Sequence, residues 1–153
     1  MPRIVADAVD VYIVRRVHAR LQFLLLQRRG DAALGGSWQP IHGSVRQGES
    51  TVDAASRLIE QHTGLTGLDP YSADHINQVY DHTRDAVVLA PVLVFAAGAR
   101  AQPHLGQEFT EFAWCDREEA LGRLTWSGQR WAVRHIDELL GPGGAEAEFY
   151  RIG

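Results

Sequence analysis

Residues 43–65, GSVRQGESTVDAASRLIEQHTGL, decide how the rest of the chain is read. A polar, glycine-containing loop runs to Ser50, whose short hydroxyl side chain is a preferred N-cap, and Asp53 stands where a weak capping box would close. Val52, Ala55 and Ile59 then recur at helical spacing, so they form the buried stripe of a helix. Thr63-Gly64 ends it, because glycine accepts the left-handed backbone just past a helix C-terminus. With about 100° of rotation per residue, positions 58, 61 and 62 share one face, and Glu60 points about 150° away as a solvated surface charge.

Working outward, Val9 to Val17 alternates loosely and is β-branched, and Leu21 to Gln27 follows after a His18-Ala19-Arg20 turn, which predicts a hairpin. Arg28-Arg29-Gly30-Asp31 and Leu34-Gly35-Gly36-Ser37 read as a flexible loop. Trp38 to Val45 reads as a short strand pair or a bent strand broken at Gly43. Downstream, strands are expected over His75–His82, Ala86–Ala97 and Glu111–Cys115, then a short helix over Arg117–Leu124. A last helix starts at Ser127, carries Ala132, Ile136, Leu139 and Leu140 on one face, and stops at Gly141-Pro142. Strands outnumber helices, and the main helix falls between strand groups. That pattern predicts a mixed sheet covered by helices, α/β or α+β, rather than a regular βαβ alternation.

The bulk properties bound the function. A chain of 153 residues without repeats or a linker reads as one domain, 1–153, and 45% hydrophobic residues suffice for a core. A formal net charge of −4 argues against a binder of duplex nucleic acid, which needs a basic face, but not against a phosphate ligand held by a few local cations. The lone Cys115 excludes an internal disulfide and reads as a small buried hydrophobe in a reducing compartment. The longest apolar stretch, Ala86 to Ala97, is about half a membrane span, and no basic-then-apolar leader opens the sequence. The expectation is a cytoplasmic protein without a membrane partner.

The quoted segment resembles the Nudix box, G-x5-E-x7-R-E-U-x-E-E-x-G-U with U a bulky aliphatic. Gly43, Glu49, Arg57, Ile59, Gly64 and Leu65 fill their positions with no gap. Trp38-Gln39-Pro40 and Leu24 to Arg28 are similar to the strand and loop that lead into it. Glu108 to Trp114 and Trp126 to Arg130 resemble segments of the subfamily that hydrolyses dATP and dihydroneopterin triphosphate. The resemblance implies the Nudix fold, an α/β/α sandwich with a mixed sheet, and action on a nucleoside diphosphate-linked or nucleotide-like phosphate compound. Many relatives pair through sheets or termini, so a homodimer is a further expectation.

The departures bear on chemistry. Where the family has glutamates, this chain has Leu58, Gln61 and His62. In active members that helix face presents clustered carboxylates to Mg²⁺ or Mn²⁺, which polarises the diphosphate and activates water. Leucine offers no ligand, glutamine a neutral carbonyl, and histidine a nitrogen suited to softer metals. The resemblance implies that Glu49 and Arg57 tie the loop to the helix, with Gly43 and Gly64 as structural positions. It also makes Glu49, Glu108 and Glu111 the candidate catalytic oxygens and Glu49, His62 and Glu108 the candidate metal ligands. His42, His62 and Glu108 also form a conceivable site for a zinc-like ion. Arg28, Arg29 and Arg46 are candidate phosphate contacts, while Trp38 and Tyr80 are candidates for stacking on a base or pterin ring, with core packing as the alternative. Three readings follow: a hydrolase with weak or altered activity, a non-catalytic phosphate-binding module, and a protein-association scaffold.

Overall fold

A computed structural model describes residues 1–31, 34–143 and 145–153. Its strands are β1 (Arg3–Val5), β2 (Ala8–Val17), β3 (Arg20–Arg28), β4 (Trp38–Gln39), β5 (Ile41–Ser44), β6 (Asp69–Asp81), β7 (Ala86–Ala97) and β8 (Phe109–Cys115). Its helices are α1 (Thr51–Thr63), α2 (Arg117–Arg123) and α3 (Ser127–Leu140), with a closing 3-10 helix at Ala145–Tyr150. The sheet is mixed. β7 runs parallel to β1 and β2 and antiparallel to β6; β2 runs antiparallel to β3 and β5; β3 runs antiparallel to β4 and β8.

The alternation along β2 builds two cores. Val9, Val11 and Ile13 point to one face, where they meet Leu24, Leu26 and Phe95 beneath Ala54, Ala55, Leu58 and Ile59 of α1. Tyr12 and Val14 point to the other, with Phe23, Leu25, Val92 and Val94, beneath Ala120 of α2 and Ala132, Val133 and Ile136 of α3. The result is the expected α/β/α sandwich. Buried Cys115 belongs to the second core, and burial pushes its thiol pKa up, away from reactivity.

The box helix begins and ends where its sequence directs. The Ser50 hydroxyl accepts the Asp53 backbone N–H at 3.1 Å, and Gly64, at φ +70°, closes the helix by donating its N–H to the Glu60 carbonyl at 2.9 Å. Three expectations need correction. The break between β4 and β5 falls at Pro40, which has no N–H to give a ladder, while Gly43 stays inside β5. β6 begins at Asp69 rather than His75, because a bulge between Ser72 and Ile76, with Asp74 at φ +53°, interrupts the pattern without ending the strand. β8 starts at Phe109 rather than Glu111, since the bulge after Gln27 brings Arg28 opposite Phe109. The apolar C-terminal tail packs on its own chain: the Ile152 N–H donates to Pro70 O at 2.9 Å, and Arg151 pairs with Asp69 at 3.1 Å.

Candidate functional site

The loop before α1 is fastened by one carboxylate. Glu49 accepts Arg57 Nε–H at 2.9 Å on one oxygen and Arg57 Nη2–H at 2.9 Å on the other, and the second oxygen also accepts the Arg46 backbone N–H at 3.0 Å. Arg57 Nη2 donates as well to the Ser44 carbonyl at 2.8 Å. Arg57, and then the Arg46 amide, hold the Glu49 carboxyl down to a pKa of about 2. Arg46 itself contributes its backbone to this tie, and its side chain is exposed.

On the helix face, Leu58 is 5% exposed and packs over Gly43. His62 is 7% exposed and stands edge-on to the Phe109 ring, 5.3 Å between centroids. Its Nδ1 lies 4.0 Å from Glu108, which in turn lies 3.8 Å from Arg28, and the Arg28 guanidinium sits 5.7 Å from the Phe109 centroid. Burial pushes the His62 pKa down and Arg28 adds to that, with Glu108 opposing. The loop preceding β8 is stitched to the end of α1: the Gly106 N–H donates to His62 O at 3.0 Å and the His104 N–H to Thr63 O at 2.7 Å. Gln61 and Glu60 are exposed.

The structure thus gathers Arg28, His62 and Glu108 into one cluster, and Glu49, Arg46 and Arg57 into another. Among the described residues, no group of three or more His, Cys, Asp or Glu side chains lies close enough to hold a metal ion. The zinc-like trio is not assembled. His42 and Gly43 point to opposite sides of β5, and Gly43 faces Leu58, so His42 faces away from α1 and His62. Glu111 is an exposed residue of β8 opposite Gln27. Trp38 lies beneath the Arg123 guanidinium at 4.6 Å, bridges to Leu124, and packs against the α2–α3 core. Tyr80 is exposed, and its hydroxyl donates to Asp85 at 2.8 Å in the turn joining β6 to β7. Arg29 reaches the Gln107 carbonyl at 3.4 Å and the Asp31 carboxylate at 3.4 Å.

Sequence reasoning missed Asp10 and Asn77. Asp10, 6% exposed, contacts Nδ1 of His42 and accepts Asn77 Nδ2–H at 3.0 Å. The available signal was a carboxylate inside the apolar run Ala8-Val9-Asp10-Val11-Tyr12, where burial demands a partner. A shallow groove of ≈ 300 Å³, lined in part by Asn77, Ser127, Gly128 and Trp131, opens beside this set. A larger hollow of ≈ 400 Å³ lies at Arg20, Asp116, Arg117 and Asp137 and contains none of these groups.

The comparisons with known proteins agree with this architecture. A family profile for the NUDIX domain matches residues 5–136, and the chain belongs to the Nudix family. An octanoyltransferase of Myxococcus xanthus is 32% identical over 136 residues, 82% of this chain and 35% of that protein, so the chain spans about a third of the length of this curated relative. Among solved structures, a C. elegans Ap4A hydrolase superposes with a TM-score of 0.74 at 21% identity, covering 89% of this chain and 98% of the other. The E. coli dihydroneopterin triphosphate pyrophosphohydrolase superposes with a TM-score of 0.70 at 20% identity, covering 86% and 97%. At these identities the two superpositions establish the fold alone.

Proposed function

We propose that this Nudix domain binds a nucleotide-like phosphate compound in the cleft beside the box, with hydrolysis weak or altered. The observation that carries the reading is the state of the helix face. Mg²⁺ needs several hard oxygens near octahedral geometry. Leu58 is packed over Gly43, both Glu49 oxygens are engaged by Arg57, and His62 is buried against Phe109. Those donors do not fit a hard dication. Arg28 supports the binding half of the proposal: it lies within reach of the Glu108 carboxylate, and among the described residues its buried Nε has no hydrogen-bond partner.

A second reading, a binding module without turnover, is favoured by one comparison. The relative in Myxococcus xanthus is an octanoyltransferase in which a similar stretch makes up 35% of the length. A domain of this kind carried on a longer enzyme suits an accessory role.

The two readings separate in one experiment. Ap4A, dATP and dihydroneopterin triphosphate are titrated calorimetrically with and without Mn²⁺, and phosphate or pyrophosphate release is followed in the same samples. The first reading expects binding with slow release, roughly 100- to 1000-fold below what a full set of preorganised groups supports. Binding with zero release selects the second. No binding of any of the three compounds overturns both.

A further inference from the structure

The Asp10 carboxylate is the one buried side-chain charge that β2 carries into the sheet on its α3 face, and its two oxygens are used differently. Asn77, a neutral amide from β6, holds Oδ2 at 3.0 Å, and the partner of Oδ1 is His42. The strand register sets Asp10 directly opposite His42 on β5. The asymmetry of exposure is the informative feature. The Asp10 side chain is 9% exposed and the His42 side chain 59%. The tie between Glu49 and Arg57 offers a contrast, since there both ends are sheltered, 17% and 24% exposed. Here the buried end orients a ring that the solvent reaches.

Contact between Nδ1 and the carboxylate fixes a proton on that nitrogen, which leaves Nε2 as the outward group. We propose that His42 is a phosphate-contacting residue on the face of the sheet opposite α1, at the edge where β5 enters the box loop, held by Asp10 and Asn77 as positioning residues, so that in its doubly protonated form Nε2–H donates to an anionic oxygen of the ligand. This rests on the phosphate-binding reading above.

The surrounding charges agree. The hydrogen bond to Asp10 raises the His42 pKa, while burial and the positive charge of Arg28 on β3 oppose it. The charged group in contact with the ring is Asp10 from β2, with the neutral Asn77 behind the carboxylate, and Arg28 on β3 acts on the ring through space only. An imidazolium within electrostatic reach of a guanidinium is unfavourable until an anion offsets both, and a phosphate oxygen does so with a charge-assisted hydrogen bond. His42 also stands three residues before Val45, where the chain leaves β5 for the loop that Glu49 fastens.

The test uses inorganic pyrophosphate as probe, with His42→Gln, Asp10→Asn and Asn77→Ser beside the unaltered protein. Calorimetry between about pH 5.5 and 8.5 gives affinity, and ¹⁵N-histidine spectra report the His42 ring directly. His42→Gln is expected to bind pyrophosphate roughly tenfold or more weakly, the size of a lost charge-assisted bond. The ratio of the two affinities cancels the probe's own ionisation, and it should shrink as pH rises through the His42 titration. Asn77→Ser and Asp10→Asn should move that titration to lower pH, an effect a purely structural pair does not have on ligand affinity. In the unaltered protein, pyrophosphate should shift the His42 Nε2 resonance, a measurement that stands even if Asp10→Asn fails to fold. Tight pyrophosphate binding that leaves His42 Nε2 unmoved and His42→Gln at full affinity overturns this inference and spares the phosphate-binding reading. Absence of pyrophosphate binding anywhere overturns both.

Discussion

Leu58 occupies the space that a side chain at Gly43 would need: a Cβ at residue 43 would stand 2.6 Å from Leu58 Cδ2 and 2.7 Å from Cδ1. The first residue of the box and the first departure from its carboxylate pattern are thus in direct contact. This accounts physically for a glycine in the middle of β5, where glycine otherwise weakens a strand.

The contact predicts a coupling. Gly43→Ala forces the Leu58 side chain out of its place in a packed core and should cost about 1–3 kcal/mol, and Leu58→Ala alone about 2–5 kcal/mol. The double variant should cost clearly less than the sum, because the alanine methyl at residue 43 enters the space vacated at residue 58. Chemical denaturation of the four proteins measures the cycle. Strict additivity would show that the two positions do not share that space.

The tie between Glu49 and Arg57 predicts an acid-dependent contribution to stability. Glu49 is held at a pKa of about 2, below its ordinary value of 4.5. The folded state therefore binds this proton less readily than the unfolded chain does. Its contribution is complete above about pH 4.5 and is lost as pH falls toward 2. Thermal melts of the unaltered protein and Glu49→Gln should differ most at neutral pH, draw together below about pH 4.5 and converge near pH 2. Curves that stay parallel down to pH 2 would mean that the Arg57 contact does not hold Glu49 charged.

Much of this was readable from the chain because it depends on local chemistry. Ser50 and Gly64 bracket α1 through hydrogen bonds to neighbours three or four residues away, and the apolar limits of β7 at Ala86 and Ala97 coincide with its strand. The spacing of Gly43, Glu49, Arg57 and Gly64 pointed to the family in the same way. What escaped depends on partners far along the chain. Asp10 meets Asn77 across 67 positions, and nothing near either residue announces the other. Trp38 suits ligand stacking as well as packing by sequence alone, and it is Arg123, far along the chain on α2, that covers its ring. In a bare sequence Gly43 is as strong a break signal as Pro40. Within a ladder the missing N–H of proline decides instead.

The caps of α1 predict two independent losses. Ser50→Ala removes the acceptor for the Asp53 N–H and should cost about 1 kcal/mol. Gly64→Ala imposes a Cβ on a residue at φ +70° and should also cost about 1 kcal/mol. The residues bracket a 13-residue helix, about 20 Å long, so the effects should add. Denaturant midpoints of the two single variants and the double variant check this. A neutral Gly64→Ala would mean that the helix end relaxes out of the left-handed conformation.

The strongest functional prediction concerns the face that Leu58, Gln61 and His62 share. If the lack of hard oxygens there limits turnover, then Leu58→Glu, Gln61→Glu and His62→Glu together should create a carboxylate cluster on one helical face. Manganese-dependent release of pyrophosphate from dATP should then rise by roughly 100-fold or more over the unaltered chain. The single variants should do far less, because groups of one site act as a unit and their effects do not add. Leu58→Glu alone places a charge in the tight contact with Gly43 and should lower the melting temperature. Manganese should restore part of that loss in the triple variant, since a ligand that binds the folded state stabilises it. A folded triple variant that gains manganese-dependent stability yet no turnover would place the limit elsewhere. The next position to change would then be Glu49, whose two oxygens Arg57 already holds.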